Sequence, residues 1–139
     1  MTDERAALFD NLRNMKLLLV EDDALLRNSL RLFFENEGCR LDALETGEEG
    51  LAAVEEGAYD IVISDFRLPG MDGLHLLRRV HDRWPQTMKV LLTAYLDEEV
   101  LSDAFRIGVQ EFIEKPFTSA DLEEALGRLI EKRTKRPVA

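Results

Sequence analysis

A chain of 139 residues with 45% hydrophobic residues fits one domain that buries most of its apolar surface, which excludes overall disorder. Its single cysteine, Cys39, excludes an internal disulfide framework and a cysteine-built zinc site, and fits a reducing compartment. The net charge of −10 argues against nucleic acid or an anionic membrane as partner of the domain, and no apolar stretch approaches the roughly 20 residues that span a bilayer.

The N-terminus, Met1-Thr2-Asp3-Glu4-Arg5, lacks the apolar region of a signal peptide, so the expected location is cytoplasmic. Residues 1–14 read as an extension, either a frayed arm or a short helix with Leu8, Phe9 and Leu12 on one face. Residues 16–20 form the first apolar run. Leu26, Leu30, Phe33 and Phe34 then recur at helical spacing, predicting a helix over Ala24–Glu37 that Gly38 ends. Cys39–Leu44 is a short strand. Thr46 stands three residues before Glu49, a capping-box spacing that opens a helix to about Glu56.

Ile61–Ser64 is rich in β-branched residues and bounded by turn signals, as in a buried strand. Leu68-Pro69-Gly70-Met71-Asp72-Gly73 is turn chemistry. A helix marked by Leu74, Leu77 and Val80 follows and stops at Trp84-Pro85. Lys89–Thr93 reads as a fourth strand, Asp97–Ile107 as a helix stopped by Gly108, and Glu111–Glu114 as a fifth strand. Thr118 with Asp121 opens a last helix, with Leu122, Ala125, Leu126, Leu129 and Ile130 on one stripe. Lys132, Arg133, Lys135 and Arg136 favour its C-terminus and a polar tail. The organisation is thus an extension (1–14), one domain (15–132) and a tail or start of a linker (133–139).

Five strands alternating with five helices predict a doubly wound parallel α/β sheet covered on both faces. Such sheets bind ligands beyond the carboxyl ends of their strands. Four motifs fall there: Glu21-Asp22-Asp23, Asp65, Thr93-Ala94 and Lys115-Pro116. Three carboxylates, a hydroxyl and an ammonium at one sheet edge suit a divalent cation beside an aspartate that accepts a phosphoryl group.

Each residue also has a plainer reading. Acids at a helix start cap its N–H groups; three in a row exceed that need, so Glu21 and Asp22 are assigned to the site and Asp23 to the cap. Asp65 is a loop-capping aspartate, or, since it ends a buried strand where an unpaired carboxylate is costly, an oxygen nucleophile. Thr93 is an ordinary strand residue by propensity, or a hydroxyl aimed at a phosphoryl oxygen beside the small Ala94. Lys115 is an ordinary surface lysine, or a cation reaching the same pocket, with Pro116 fixing the loop geometry. His75 and His81 lie apart from the motifs and read as plain helix residues.

In combination these motifs resemble the receiver domain of bacterial two-component response regulators, the chemotaxis-Y-like fold, over about Met15 to Glu131. The resemblance implies the flavodoxin-like strand order 2-1-3-4-5. It implies Asp65 as phosphoacceptor and Mg²⁺ (or Mn²⁺) held by Glu21, Asp22, Asp65 and the Arg67 carbonyl, with Glu21 acting mainly through water. Thr93, Ala94 and Lys115 would sense the phosphoryl group, with Thr93 and Phe112 as the switch. Activity would be limited to Mg²⁺-dependent self-phosphorylation and autodephosphorylation. The implied partners are a sensor histidine kinase or phosphotransfer protein, and an effector or fused output domain answering to the surface of the fourth helix, fifth strand and fifth helix of the alternation.

The chain departs from the common pattern at Phe112, where tyrosine is frequent. It also places Arg67 and Tyr95 two residues past Asp65 and Thr93, where both would overhang the site and tune acyl-phosphate lifetime. Val100, Ala104 and Ile107 serve the core of their helix, whereas Leu101 and Phe105 lie on an adjoining stripe that either widens the buried face or contacts a dimer or output partner. Three rival readings are weaker. A haloacid-dehalogenase-type phosphohydrolase would need paired aspartates two apart and a later acidic pair. A flavodoxin-like module would need donors, not three acids, after strand one. A constitutive interaction module would not need the complete site.

Overall fold

A computed structural model describes residues 3–134. The elements run α1 (Asp3–Leu12), β1 (Lys16–Val20), α2 (Ala24–Asn36), β2 (Arg40–Leu44), α3 (Gly47–Glu56), β3 (Ile61–Asp65), α4 (Gly73–Arg83), β4 (Met88–Thr93), α5 (Glu98–Arg106), β5 (Glu111–Glu114) and α6 (Ser119–Thr134). Lys135 and Arg136, expected on a polar tail, lie outside the described residues.

The sheet is parallel throughout, in the order β2-β1-β3-β4-β5. Alternation along the strands splits their side chains between two cores. Leu17 and Leu19 of β1, with Ile61 and Ile63 of β3, face a core shared with α1, α2 and α6. Leu18, Val20 and Val62 face a second core shared with α3, α4 and α5. Both faces are covered, so β3 and β4 are buried along their whole length. Each fully buried aliphatic side chain contributes about 1.5–3 kcal/mol.

Local signals set the helix starts as expected. The Asp23 side chain accepts from Leu25 and Leu26 N–H and caps α2. Thr46 and Glu49 form a reciprocal capping box at α3. Thr118 and Asp121 exchange the same pair of bonds before α6, at 3.1 and 3.0 Å. Past the end of α2 the backbone turns at Gly38 with φ 77°, a left-handed conformation that glycine adopts without a Cβ penalty.

The N-terminal segment is a helix, so six helices flank the sheet where the alternation predicted five. Leu8, Phe9 and Leu12 are buried in the first core. Phe9 meets the edge of Phe33 with ring centroids 5.9 Å apart. Arg5 pairs with Glu37 at 2.6 Å, just past α2, and with Glu123 of α6 at 3.0 Å. A ten-residue helix is marginal alone, and this one is held by tertiary contacts.

The chain leaves β1 toward β2 on one side and returns through β3 on the other. The carboxyl ends of β1 and β3 therefore flank the switch point where such sheets bind ligands.

Candidate functional site

Glu21 continues the ladder past β1, its N–H donating to the Leu44 carbonyl at 3.0 Å, and its side chain is fully buried. One carboxylate oxygen accepts from the Asp23 N–H at 3.1 Å and the other from Lys115 Nζ at 2.7 Å. The backbone of Asp22 is gripped by Arg27, whose Nη1 donates to the carbonyls of Glu21 at 2.9 Å and Asp22 at 3.3 Å. The Asp22 carboxylate is exposed.

Asp65 ends β3 and is 7% exposed. Its Oδ2 lies 3.2 Å from Lys115 Nζ. The following Phe66 N–H donates to the Leu92 carbonyl at 2.8 Å, and Gly73 N–H donates to the Phe66 carbonyl at 2.7 Å. The loop closes so tightly that a Cβ on Gly73 would lie 2.0 Å from the Asp65 carbonyl oxygen. Glycine is required there by close approach. Carboxylate oxygens of Glu21, Asp22 and Asp65 lie within 4.8 Å of one another, the arrangement of hard ligands that suits Mg²⁺ or Mn²⁺.

Lys115 follows β5. Its N–H donates to the Thr93 carbonyl at 2.9 Å, which ties the lysine to the end of β4, and its peptide bond to Pro116 is cis. The Thr93 side chain is buried, and its hydroxyl oxygen accepts from the Tyr95 N–H at 2.9 Å. The next residue, Ala94, is exposed. The Arg67 guanidinium stacks 4.3 Å over the Tyr95 ring, so the loops after β3 and β4 meet through a cation–π contact. Phe112 is half-buried on β5 and meets Phe105 of α5 edge-on, with centroids 5.7 Å apart. Phe105 itself is 68% exposed. Leu101 is half-buried, while Val100, Ala104 and Ile107 are core.

Burial pushes the Glu21 carboxyl up to about 7, and the Asp65 charge adds to the rise; the Lys115 and Asp23 hydrogen bonds hold it back. Burial lowers the Lys115 pKa, but the Glu21 hydrogen bond and the charges of Asp65 and Glu21 outweigh it, so the ammonium stays above its ordinary value.

The fold thus brings together Glu21, Asp22, Asp65 and Lys115, as the sequence predicted. Thr93 joins them through the ladder and the Lys115 backbone. Neither Arg27 nor the close approach at Gly73 is marked by the strand-end motifs. The one available signal for Arg27 was a cation one helical turn past an acidic loop.

A model of the response regulator receiver domain matches residues 17–127. The transcriptional regulatory protein ResD of Bacillus subtilis (strain 168) is 32% identical over 113 residues, 81% of this chain and 47% of ResD. The two-component response regulator PhoP of Pseudomonas aeruginosa is 35% identical over 118 residues, 85% of this chain and 52% of PhoP. The chain therefore spans about half the length of these curated relatives. Among solved structures, a CheY-like receiver domain protein from Methanospirillum hungatei JF-1 superposes with a TM-score of 0.80 at 30% identity. That match covers 87% of this chain and 98% of the other. CheY4 of Vibrio cholerae gives 0.76 at 25% identity, covering 82% and 97%.

Proposed function

The chain belongs to the response regulator receiver domain family of two-component signalling, and we propose that Asp65 is its phosphoacceptor. The observation that carries this reading is the convergence on Lys115 Nζ of Glu21 at 2.7 Å and Asp65 at 3.2 Å, with Asp22 alongside. In this reading a carboxylate oxygen of Asp65 attacks the phosphorus of a phosphohistidine. The new O–P bond forms as the P–N bond breaks, and the imidazole leaves.

The donor set fits Mg²⁺ or Mn²⁺, with Asp22 and Asp65 as direct carboxylate ligands, Glu21 acting through water and the Arg67 carbonyl completing the protein's share. Bound there, the ion would neutralise charge shared by the carboxylates and the incoming phosphoryl group. Lys115, already paired to Asp65, would keep one oxygen of the acyl phosphate beside its ammonium. The Thr93 hydroxyl, buried one residue past the Leu92 that pairs with Asp65, would donate to another, beside the small, exposed Ala94. Pro116 sets the loop that aims Lys115.

The phosphoryl group is then one new charged ligand that biases a two-state equilibrium. Thr93 and Phe112 are the proposed switch residues, and α5, β5 and α6 the surface that changes. The receiver unit is taken as residues 15–132. The proposed partners are a sensor histidine kinase or phosphotransfer protein, an effector or fused output domain, and a second copy of the chain. No direct contact of this acidic domain with nucleic acid or membrane is proposed. Among the described residues no helix is long and apolar enough to cross a membrane. A cytoplasmic location and an activity limited to self-phosphorylation and autodephosphorylation complete the reading.

Intact mass after incubation with Mg²⁺ and acetyl phosphate tests it. One metal-dependent phosphoryl adduct, lost in Asp65→Asn, is expected. No adduct under conditions that phosphorylate a working receiver would leave a constitutive interaction module.

A further inference from the structure

Arg27 lies one turn into α2, and its guanidinium turns back beneath the acidic loop. Its side chain is 18% exposed, and Nη2 lies 3.9 Å from Glu45 Oε1. Nη1 donates to the carbonyls of Glu21 and Asp22, the two peptide groups that flank the Asp22 Cα. The neighbouring acids are anchored by their own side chains: Glu21 through Lys115 and the Asp23 N–H, and Asp23 through the cap of α2. The Asp22 carboxylate makes no hydrogen bond among the described residues, so its place depends on its backbone. That backbone is held by Arg27.

We infer that Arg27 is a positioning residue for the divalent-ion site, fixing the Asp22 carboxylate through its two flanking peptides. The inference rests on the reading of Glu21, Asp22 and Asp65 as that site. It makes a sign prediction that charge alone reverses. Arg27 is a cation bound to the loop that carries two of the three acids, so by Coulomb's law its removal should tighten the binding of a second cation. If its part is to hold Asp22 in place, removal weakens binding.

Mn²⁺ binding by the full chain, read from the electron paramagnetic resonance of the free ion, separates the two. Saturable binding by the wild type, abolished or strongly weakened in Asp22→Asn, is expected first. Arg27→Met should then weaken binding by about 10-fold, the low end for partners that orient metal ligands. Arg27→Lys, which keeps the charge without the planar fork, should fall between. Equal or tighter binding by Arg27→Met, beside a wild type that binds, overturns the Arg27 inference alone. A wild type that binds no better than Asp22→Asn overturns the ion site and Arg27's part in it. Amide exchange of the metal-free protein gives an independent readout. The Asp23 N–H should exchange faster in Arg27→Met while core amides of β3 and β4 stay unchanged; an unchanged Asp23 amide would count against any hold on the loop.

Discussion

The Lys115 ammonium donates to Glu21 Oε1 at 2.7 Å, joining groups 94 positions apart at the ends of β5 and β1. Glu21 is fully buried, and that burial, more than any neighbour, moves its carboxyl from an ordinary 4.5 to about 7. A group that holds its proton more tightly when folded stabilises the fold below its unfolded-state value, and that contribution is lost as pH rises through the folded value. In the absence of divalent ions, stability should therefore fall between about pH 4.5 and 8 by up to about 3 kcal/mol relative to Glu21→Gln, which cannot titrate. Urea unfolding of both proteins at pH 5 and pH 8 with a chelator measures the difference. Parallel pH dependences would remove Glu21 as its source. Because the proton competes with a cation, added Mg²⁺ should stabilise the wild type more at pH 8 than at pH 6.

Gly73 sets the position of the Asp65 peptide. A Cβ there would lie 2.0 Å from the Asp65 carbonyl oxygen and 3.0 Å from Ser64 Oγ, and the Asp65 oxygen is backbone that cannot turn away. Gly73→Ala should cost about 3 kcal/mol or more, beyond ordinary overpacking, and, with Asp65 as the proposed phosphoacceptor, slow acyl-phosphate formation by displacing it. A denaturant midpoint within error of the wild type would show that the loop relaxes without strain.

Arg67 and Tyr95 meet at 4.3 Å across the loops after β3 and β4. Both are exposed, so the contact is of the weaker kind, about 0.5–1 kcal/mol. If the pair screens the acyl phosphate from water, Arg67→Ala and Tyr95→Ala should each speed its decay by about two- to fivefold. The double variant should be little faster than either, because each single change already opens the contact. Phosphoprotein lifetime followed by intact mass tests this, and wild-type decay in both single variants would end the argument.

Much of the fold was legible because its signals are local. Alternating apolar runs, the caps at Asp23, Thr46 and Thr118, and the strand-end acids each depend on a few neighbouring residues. What escaped depends on partners distant in sequence or on backbone. The docking of α1 needs Phe33 and the stripe of α6, which Leu8, Phe9 and Leu12 in a ten-residue segment do not announce. Lys89 is buried in β4, donating to the Thr87 carbonyl at 2.6 Å, and Arg27 holds two carbonyls. No side-chain pattern marks a carbonyl as a partner. Glu111 is buried because Arg128 and Lys132 reach it from α6, at 3.0 and 2.6 Å, a clamp that spacing within β5 could not reveal.

The Phe105–Phe112 contact links the proposed switch strand to the surface. Phe112 is half-buried, and Phe105, 68% exposed, covers its edge at 5.7 Å. Exposure limits what Phe105 contributes to folding, and an edge-to-face pair adds about 0.5–1.5 kcal/mol. Phe105→Asp should therefore lower stability by about 1 kcal/mol or less. If Leu101 and Phe105 form a contact for a second copy or an output partner, the same substitution buries a charge in that contact and removes an aromatic anchor, which costs more than the fold loses. Sedimentation of the phosphorylated protein should then show weaker self-association for Phe105→Asp and Leu101→Asp. Unchanged association, together with unchanged capture of an effector, would leave Phe105 as no more than a cover for Phe112.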